Sequence, residues 1–429
     1  MKNTFKLKYV FASLLSLAIS QSAFATGFFL PYESISDVGV GLAGGAALAE
    51  DASTNYNNSA GITRLKHPQL VVGAVGVFGR NTFNGTMTNP GALSLSPVTE
   101  TGTVRGGLGR GVVPNMHYAT PLSHNFSAAL SIVVPYALGL SFPSDSLVRY
   151  EIIYGKQGGV DISPSLAYQV TPQLSIAAGP DFLRYFLAAK QAVRTQPLTA
   201  TDSYATGQAS AWNYGFHAGI LYQATPATRV GLAHHSQFIN YLSGNSKFFL
   251  AGDGSTFSNN ARIKLPMASL TTLSAHTDVN SKWAVMGTVE YMNWSIYSAN
   301  HFSNLATPTQ GVTADIVELV KLNNAWIYAL GSTYQYTDRL MLRAGAHYAQ
   351  GASSTAYRSI AFPDATLLGV NAAVRYQVTP AAAVDVMYGH IFDHDTAIHH
   401  TNITTGGTLN GVVSSSGNIF GAQLTWTFV

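Results

Sequence analysis

Along most of this chain, apolar and polar side chains exchange places at every residue. From Ser210, one parity reads Trp212, Tyr214, Phe216, Ala218, Ile220 and Tyr222, while the other reads Asn213, Gly215, His217, Gly219, Leu221 and Gln223. The same period sets Val160, Ile162, Leu166, Tyr168 and Val170 against Asp161, Ser163, Ser165 and Gln169. It recurs at Leu368, Val370, Ala372, Val374 and Tyr376, which alternate with Gly369, Asn371, Ala373, Arg375 and Gln377. A period of two predicts strands with one greasy and one wet face. In Trp326, Tyr328, Leu330, Ser332, Tyr334 and Tyr336 the aromatic residues bracket both ends of the greasy parity, where the two headgroup layers of a bilayer would lie.

Segments of this kind predict about fourteen strands, an even number as a closed single-chain barrel prefers. They start near Leu70, Val112, Phe126, Val160, Leu174, Ala209, Thr228, Arg262, Lys282, Asn324, Leu340, Thr366, Ala383 and Gly417. Thr171-Pro172, Thr225-Pro226, Thr337-Asp338 and Thr379-Pro380 read as short periplasmic turns. Residues 84–110, 243–260, 298–320 and 396–416, rich in Gly, Ser, Thr and Asn, read as longer external loops. The last strand carries Phe420, Ala422, Leu424, Trp426 and Phe428, followed by Val429. An apolar C-terminal strand with aromatics near its end resembles the signal by which barrel-insertion machinery recognises its clients, though here the chain ends one residue beyond the aromatic.

Composition agrees with strands in lipid. Charged residues are 10% of the chain, against about 25% in soluble domains, yet after the first residues no window holds a run of 18 apolar residues. A closed barrel satisfies every backbone group in lipid without such a run. The first 25 residues join Lys2, Lys6 and Lys8 to an apolar stretch from Val10 to Ile19 and then Ala23-Phe24-Ala25. That is the pattern of a cleaved signal peptide. Without those three lysines the 23 basic residues become 20, balanced by 20 acidic ones. A formally neutral chain gives no footing for a nucleic-acid partner, and zero cysteines exclude disulfides and thiolate sites.

Enzyme chemistry finds little support. There is no Gly-x-Ser-x-Gly elbow, and serines and histidines show no triad spacing. His234-His235, with His394, His399 and His400, read as solvated residues and no metal is expected, because adjacent histidines in a strand face opposite sides. Gly106-Gly107-Leu108-Gly109 precedes a strand, not a helix, so a phosphate cradle fails its context. No cofactor is implied. The inward parity carries Asp161, Glu290, Arg343, Arg375 and Asp385. This mixed set differs from the single-sign ring of an ion-selective pore. Arg343 and Arg375 lie on consecutive strands, placed either to meet a ligand carboxylate by paired N–H donors or to pair with neighbouring Asp and Glu.

Residues 26–67 do not alternate. Gly39, Gly41, Gly44 and Gly45 with Ala43, Ala46, Ala47 and Ala49 form a small-residue run before Glu50-Asp51-Ala52-Ser53-Thr54-Asn55. The segment reads as a plug of short helices and turns or, alternatively, as a flexible periplasmic leader. The plug is favoured because about fourteen strands enclose more space than wall side chains fill. The expected organisation is a signal peptide at 1–25, a hatch at 26–67 and an all-β transmembrane antiparallel barrel at 68–429.

Thr26-Gly27-Phe28, the run from Gly41 to Ser53 and Asn58-Ser59-Ala60-Gly61 resemble the hatch of the FadL/TodX family of outer-membrane long-chain fatty acid and hydrocarbon transporters. The likeness continues in order through Val113-Pro114-Asn115, Ser163-Pro164-Ser165, Tyr291-Met292-Asn293-Trp294-Ser295, Asn324-Ala325-Trp326, Phe362-Pro363-Asp364 and Tyr388-Gly389-His390. Two departures stand out: Ser59 replaces the proline of the family's Asn-Pro-Ala hatch turn, and Ala365-Thr366-Leu367-Leu368 replace the usual polar and aromatic residues.

The resemblance implies capture of a hydrophobic ligand outside, a pocket at the mature N-terminus with Phe28 and Leu30, and sideways release beside a kinked third strand. Asn58, Ser59, Ala60 and Gly61 would then form the hatch turn facing that gate. The third strand itself holds Pro135, which cannot donate a ladder hydrogen bond, and Gly139, which weakens a strand, so a local break is expected there. The implied surroundings are outer-membrane lipid and lipopolysaccharide, and the implied state a monomer. The residues alone leave open a non-transporting surface barrel serving adhesion or structure, and an outer-membrane lipid hydrolase.

Overall fold

The computed structural model describes residues 28–89, 96–108, 110–195, 201–402 and 406–428. The expected leader, Thr26-Gly27, Gly109 and Val429 lie outside them.

Fourteen barrel strands follow one another as antiparallel neighbours. They are β1 (Gln69–Asn89), β2 (Arg110–Pro121), β3 (Phe126–Ser141), β4 (Tyr154–Gln169), β5 (Leu174–Val193), β6 (Ser203–Gln223), β7 (Thr228–His235, resuming as Phe238–Phe249) and β8 (Thr256–Met267, resuming as Leu270–Asp278). After these come β9 (Trp283–Met292), β10 (Ala325–Gln335), β11 (Leu340–Ala349), β12 (Leu367–Thr379), β13 (Ala382–Asp393) and β14 (Thr408–Thr427). The ring closes where β14 pairs with β1 from Gln69↔Thr427 to Thr88↔Thr408. Closure leaves no free edge in lipid.

Alternation sets the two faces. Tyr214 is 71% and Leu330 75% exposed, which a water-soluble wall would not tolerate in contiguous bands but a lipid-facing one requires. Asn213, Asn371, Arg343 and Asp385, on the other parity, are buried inside.

The strands are uneven. β1 and β6 have 21 residues and β5 and β14 have 20, whereas β9 and β11 have 10. Stretches expected to be loops, such as 243–249 and 408–416, are therefore the upper parts of long strands. Above the bilayer both faces are wet, so the apolar signal disappears while the ladder continues. Within the expected loop at 298–320, a hairpin of Ala299–Ala306 and Thr313–Leu319 rises over the short side. Two further loops, 142–153 and 350–366, fold inward with mostly buried or half-buried side chains.

Inside the ring lies the segment from Phe28 to Leu65, almost wholly buried. It contains two short helices, α1 (Ile35–Val38) and α2 (Thr54–Asn57), and a 3-10 turn at Ser59–Arg64. Its backbone runs against the wall where the wall lacks side chains. A Cβ at Gly231 would stand 1.8 Å from Ala46 O, and one at Gly345 only 1.9 Å from Val40 O, so glycine is required at both points.

Candidate functional site: a cavity above a break in the barrel wall

The third strand breaks where its residues require it. Pairing of β3 with β4 shifts register between Val133 and Tyr136, leaving Val134 and Pro135 out of step. Gly139 keeps its place opposite Lys156, so of the two residues expected to kink the strand, the register break falls at Pro135. On the other side of β3, pairing with β2 runs only from Pro121↔Ser127 to Met116↔Ile132. The ladder resumes at Leu108↔Leu140 with the short strand Gly107–Leu108. Arg110–Asn115 pair with β1 alone, and Val133–Gly139 have no partner on that side among the described barrel strands. The wall is open there for several residues.

The start of the described chain fills this opening from within. Leu30 N donates to Pro135 O (2.8 Å), and Ala137 N donates to Phe28 O (3.0 Å), flanking the isolated bridge Phe29↔Tyr136. Tyr136, pressed by Phe29, sends its hydroxyl across to Ala268 O at the interruption of β8 (3.3 Å).

Phe28 is also the floor of a large cavity of about 680 Å³ in the upper barrel. Its ring meets Phe362 (4.3 Å), Tyr297 (5.9 Å) and Trp294 (6.1 Å). Leu138 and Leu140, just past the break, line the same cavity with Leu187, Ile263 and Phe302. Lys156, Lys190 and Lys247 contribute to its walls, with Glu151 and Glu318 also present. The arrangement can hold an apolar body and meet an anionic head. Leu30, fully buried, does not line this cavity. Composition and period carried no signal for the lysines, which converge only because strands β4 to β7 are consecutive neighbours in the wall.

The hatch turn packs against β3 to β6, where Ala60 and Ile62 share an apolar cluster with Ala129, Ala167 and Leu221. Asn58 Nδ2 donates to Ala46 O (2.7 Å) and Ile220 O (3.0 Å), and its Oδ1 accepts from Ala60 N (3.1 Å). That side-chain cap does what a φ-locking proline would do at Ser59. Ser59, Ala60 and Gly61 are buried in the 3-10 turn.

Arg343 and Arg375 meet the chain's own carboxylates. Arg343 pairs with Glu50 (2.6 Å) and Asp385 (3.5 Å), and Arg375 with Asp51 (3.2 Å) and Asp385 (3.1 Å). Neither lines the cavity, so of the two roles their spacing allowed, their contacts are those of internal pairing. Burial works to raise the carboxyls of Glu50 and Asp51, but Arg343 and Arg375 more than reverse it for Glu50, and Arg375 with hydrogen bonds from Ser53 and Ser36 does so for Asp51, holding both below their ordinary values. Around them, Gln423 accepts from Ile35 N (3.2 Å) and donates to Ser36 Oγ (3.2 Å), and Asn371 donates to Val38 O (2.7 Å). Asp37 stands apart: burial pushes its carboxyl up to about 6, against hydrogen bonds from Gly44 and Gly45 and the charge of Arg343.

One histidine reading is corrected. His234 is half-buried on the outer face, but His235 is buried inside beside Asp181 and His217, not solvated. Likewise His400 is buried and faces Glu151 (3.3 Å), while His399 is exposed.

Residues 16–428 match the family model described as outer membrane protein transport protein (OMPP1/FadL/TodX). Outer membrane protein P1 of Haemophilus influenzae is 26% identical over 461 residues, covering 97% of this chain and 99% of that protein. The long-chain fatty acid transport protein of Escherichia coli is 26% identical over 430 residues, covering 89% and 91%. Among solved structures, a Pseudomonas aeruginosa FadL homologue superposes with a TM-score of 0.82 at 20% identity, over 94% of this chain and all of that one. The Ralstonia pickettii toluene transporter TbuX does so with 0.70 at 14% identity, over 92% and 97%.

Proposed function

This chain belongs to the OMPP1/FadL/TodX family of outer membrane transport proteins, and on that footing we propose that it takes up a long-chain fatty acid or similar anionic amphiphile and releases it sideways through the third-strand gap. Its place is the outer membrane of a Gram-negative bacterium, and its family moves fatty acids or hydrocarbons across that membrane without transforming them.

The observation that carries the finer reading is a shared residue. Phe28 forms the cavity floor, and its own carbonyl accepts from Ala137 at the break. A ligand pressing on that floor pulls on the strand that plugs the gap. Cavity size supports the reading too, since small-molecule pockets span about 300–1,000 Å³. The lysines favour an acid over a neutral hydrocarbon, because an ammonium group gains from a carboxylate. Sideways exit answers the cost of leaving into water, about 0.8 kcal/mol per CH₂. A ligand passing through the wall into lipid never meets that cost.

The test is uptake of a labelled long-chain fatty acid by a Gram-negative host lacking its own transporter. The wild-type chain restores uptake, and Phe28→Ala and deletion of Gly139 each reduce it severely while the heat-modifiable barrel still inserts. Undiminished uptake by both variants overturns the pocket and the gate. Toluene uptake with no fatty acid uptake overturns the choice of cargo.

A further inference from the structure

Below the third-strand break, three consecutive strands bring metal-binding side chains together inside the wall. Asp181 of β5, His217 of β6 and His235 of β7 are all buried, with one donor atom of each within 4.8 Å of the others. His217 Nδ1 lies 2.7 Å from Asp181 Oδ1, and His235 Nδ1 lies 3.4 Å from Asp181 Oδ2. The far nitrogens are held from behind. Nε2 of His217 is 2.8 Å from Ser165 Oγ, and Nε2 of His235 is 2.8 Å from Tyr56 O.

That second contact restricts the chemistry. A carbonyl only accepts, so His235 Nε2 carries the proton, and in a neutral ring the bare lone pair of Nδ1 then faces a carboxylate oxygen. Among the described residues neither His235 Nδ1 nor Asp181 Oδ2 has a hydrogen-bond partner. Two acceptors aimed at each other call for a positive centre between them, either a second proton on the ring or a metal ion. Holding an imidazole by its far N–H from a carbonyl or hydroxyl is how metal-bound histidines are oriented. Nearby, Asp161 is buried opposite Val133, the last paired residue before the break, and neither of its oxygens makes a geometrically sound hydrogen bond. His235 also borders a small chamber of about 40 Å³ shared with Glu33, Asp37 and Glu290, enough space for a water beside the ring.

We propose that Asp181, His217 and His235 bind a divalent transition metal of the zinc class, with Asp161 or water completing its shell. Two imidazoles and a carboxylate suit such an ion better than calcium or magnesium, which take oxygen ligands. Through His235 and Tyr56 the bound ion ties the hatch to the wall directly beneath the gap. The proposal does not depend on the identity of the cargo.

The protein is refolded into detergent with zinc present, so that access to a buried site is not limiting. It is then dialysed against metal-free buffer and assayed by elemental mass spectrometry, with heat-modifiable migration reporting the folded barrel. The wild type retains about one zinc per chain, and the double variant His217→Gln with His235→Gln loses it. Cobalt in place of zinc gives visible bands of a low-coordinate site that the double variant lacks. Ser165→Ala, which touches no metal, weakens zinc affinity by about 10–100-fold. A folded wild type without metal overturns the site, as does equal retention by the double variant, which would put the ion elsewhere, such as the His394–His400 loop. Should the double variant not fold, unchanged affinity in Ser165→Ala overturns it and the predicted loss supports it.

Discussion

The plug is held in two different ways on its two sides. Against β11 to β14 it is tied by charge: Arg343 and Arg375 of the wall, bridged by Asp385, meet Glu50 and Asp51 of the plug, and Gln423 and Asn371 hold its backbone. At the break in β3 its first residues are held by two backbone hydrogen bonds and by Phe29 on Tyr136, while lower on the same strand Asn55 Nδ2 donates to Ser131 Oγ (2.7 Å). The first side is expensive to disturb, because separating a buried pair leaves charges stranded. At the break the first residues of the plug can part from the strand by exchanging two amide bonds. On the proposed function the plug works as a door with its hinge on the ionic side and its free edge at the gap, so passage would need movement of a few residues and not ejection of the whole segment.

The largest expected effect comes from locking the free edge. Phe29 and Tyr136 form a non-hydrogen-bonded antiparallel pair, whose Cα atoms lie about 4.5 Å apart, within the roughly 4.4–6.8 Å that a disulfide needs. Phe29→Cys with Tyr136→Cys, in a chain without native cysteine, should abolish fatty acid uptake when oxidised and regain it on reduction. Oxidised protein that transports normally would show that the edge does not move.

Breaking the hinge comes next. Arg343→Ala leaves Glu50 and Asp385 without their shared partner, a loss of about 3–5 kcal/mol for a buried pair. Planar-bilayer recording should then reveal ion conductance through an otherwise stoppered barrel. A silent barrel would place the anchoring elsewhere.

Acidity should act on the same plug with a defined sign. Asp37 is raised from 3.8 to about 6, so the docked plug holds its proton more tightly than the undocked one. The resulting stabilisation is full below about pH 4 and is lost as pH rises through about 6, on the order of 3 kcal/mol. Hydrogen exchange of residues 35–48 should therefore quicken across that window, and Asp37→Asn should flatten the change. Glu50 and Asp51 are lowered and contribute oppositely, their pairing being lost only at greater acidity.

The smallest effect concerns the turn. Asn58 is extended (φ −160°, ψ 98°) and Ser59 opens the 3-10 turn, positions that suit a residue before proline and a proline at the first helical position. Ser59→Pro should stabilise the plug by about 0.4–1 kcal/mol, read as slower exchange at residues 58–64. Destabilisation would mean that the Asn58 cap and the ring compete.

Much of the barrel was legible because lipid forces alternation: eleven of the fourteen expected strand starts fall at or within the strands, and Lys282, Asn324 and Thr366 fall one residue before theirs. Legibility ended where lipid ends. Residues 408–416 and 243–249 lost their apolar parity and read as loop, yet they extend β14 and β7. The interruptions after His235 and Met267 left no mark on the period. In the site, Phe28 and Pro135 could be named from resemblance and backbone chemistry. The ties of the plug could not, since Ile35 and Gln423 or Val38 and Asn371 lie more than 300 residues apart. His235 was misread for the same reason: its company is supplied by two other strands.

The uneven height of the wall has its own consequence. A strand of 21 residues runs about 70 Å at 3.4 Å per residue, or about 50 Å upright at a tilt near 45°, twice the roughly 25 Å apolar band of such barrels. The surplus stands as a turret above that band, and the cavity opens within it. On the proposed function, a greasy molecule arriving from water would be sheltered there before it reaches the gap.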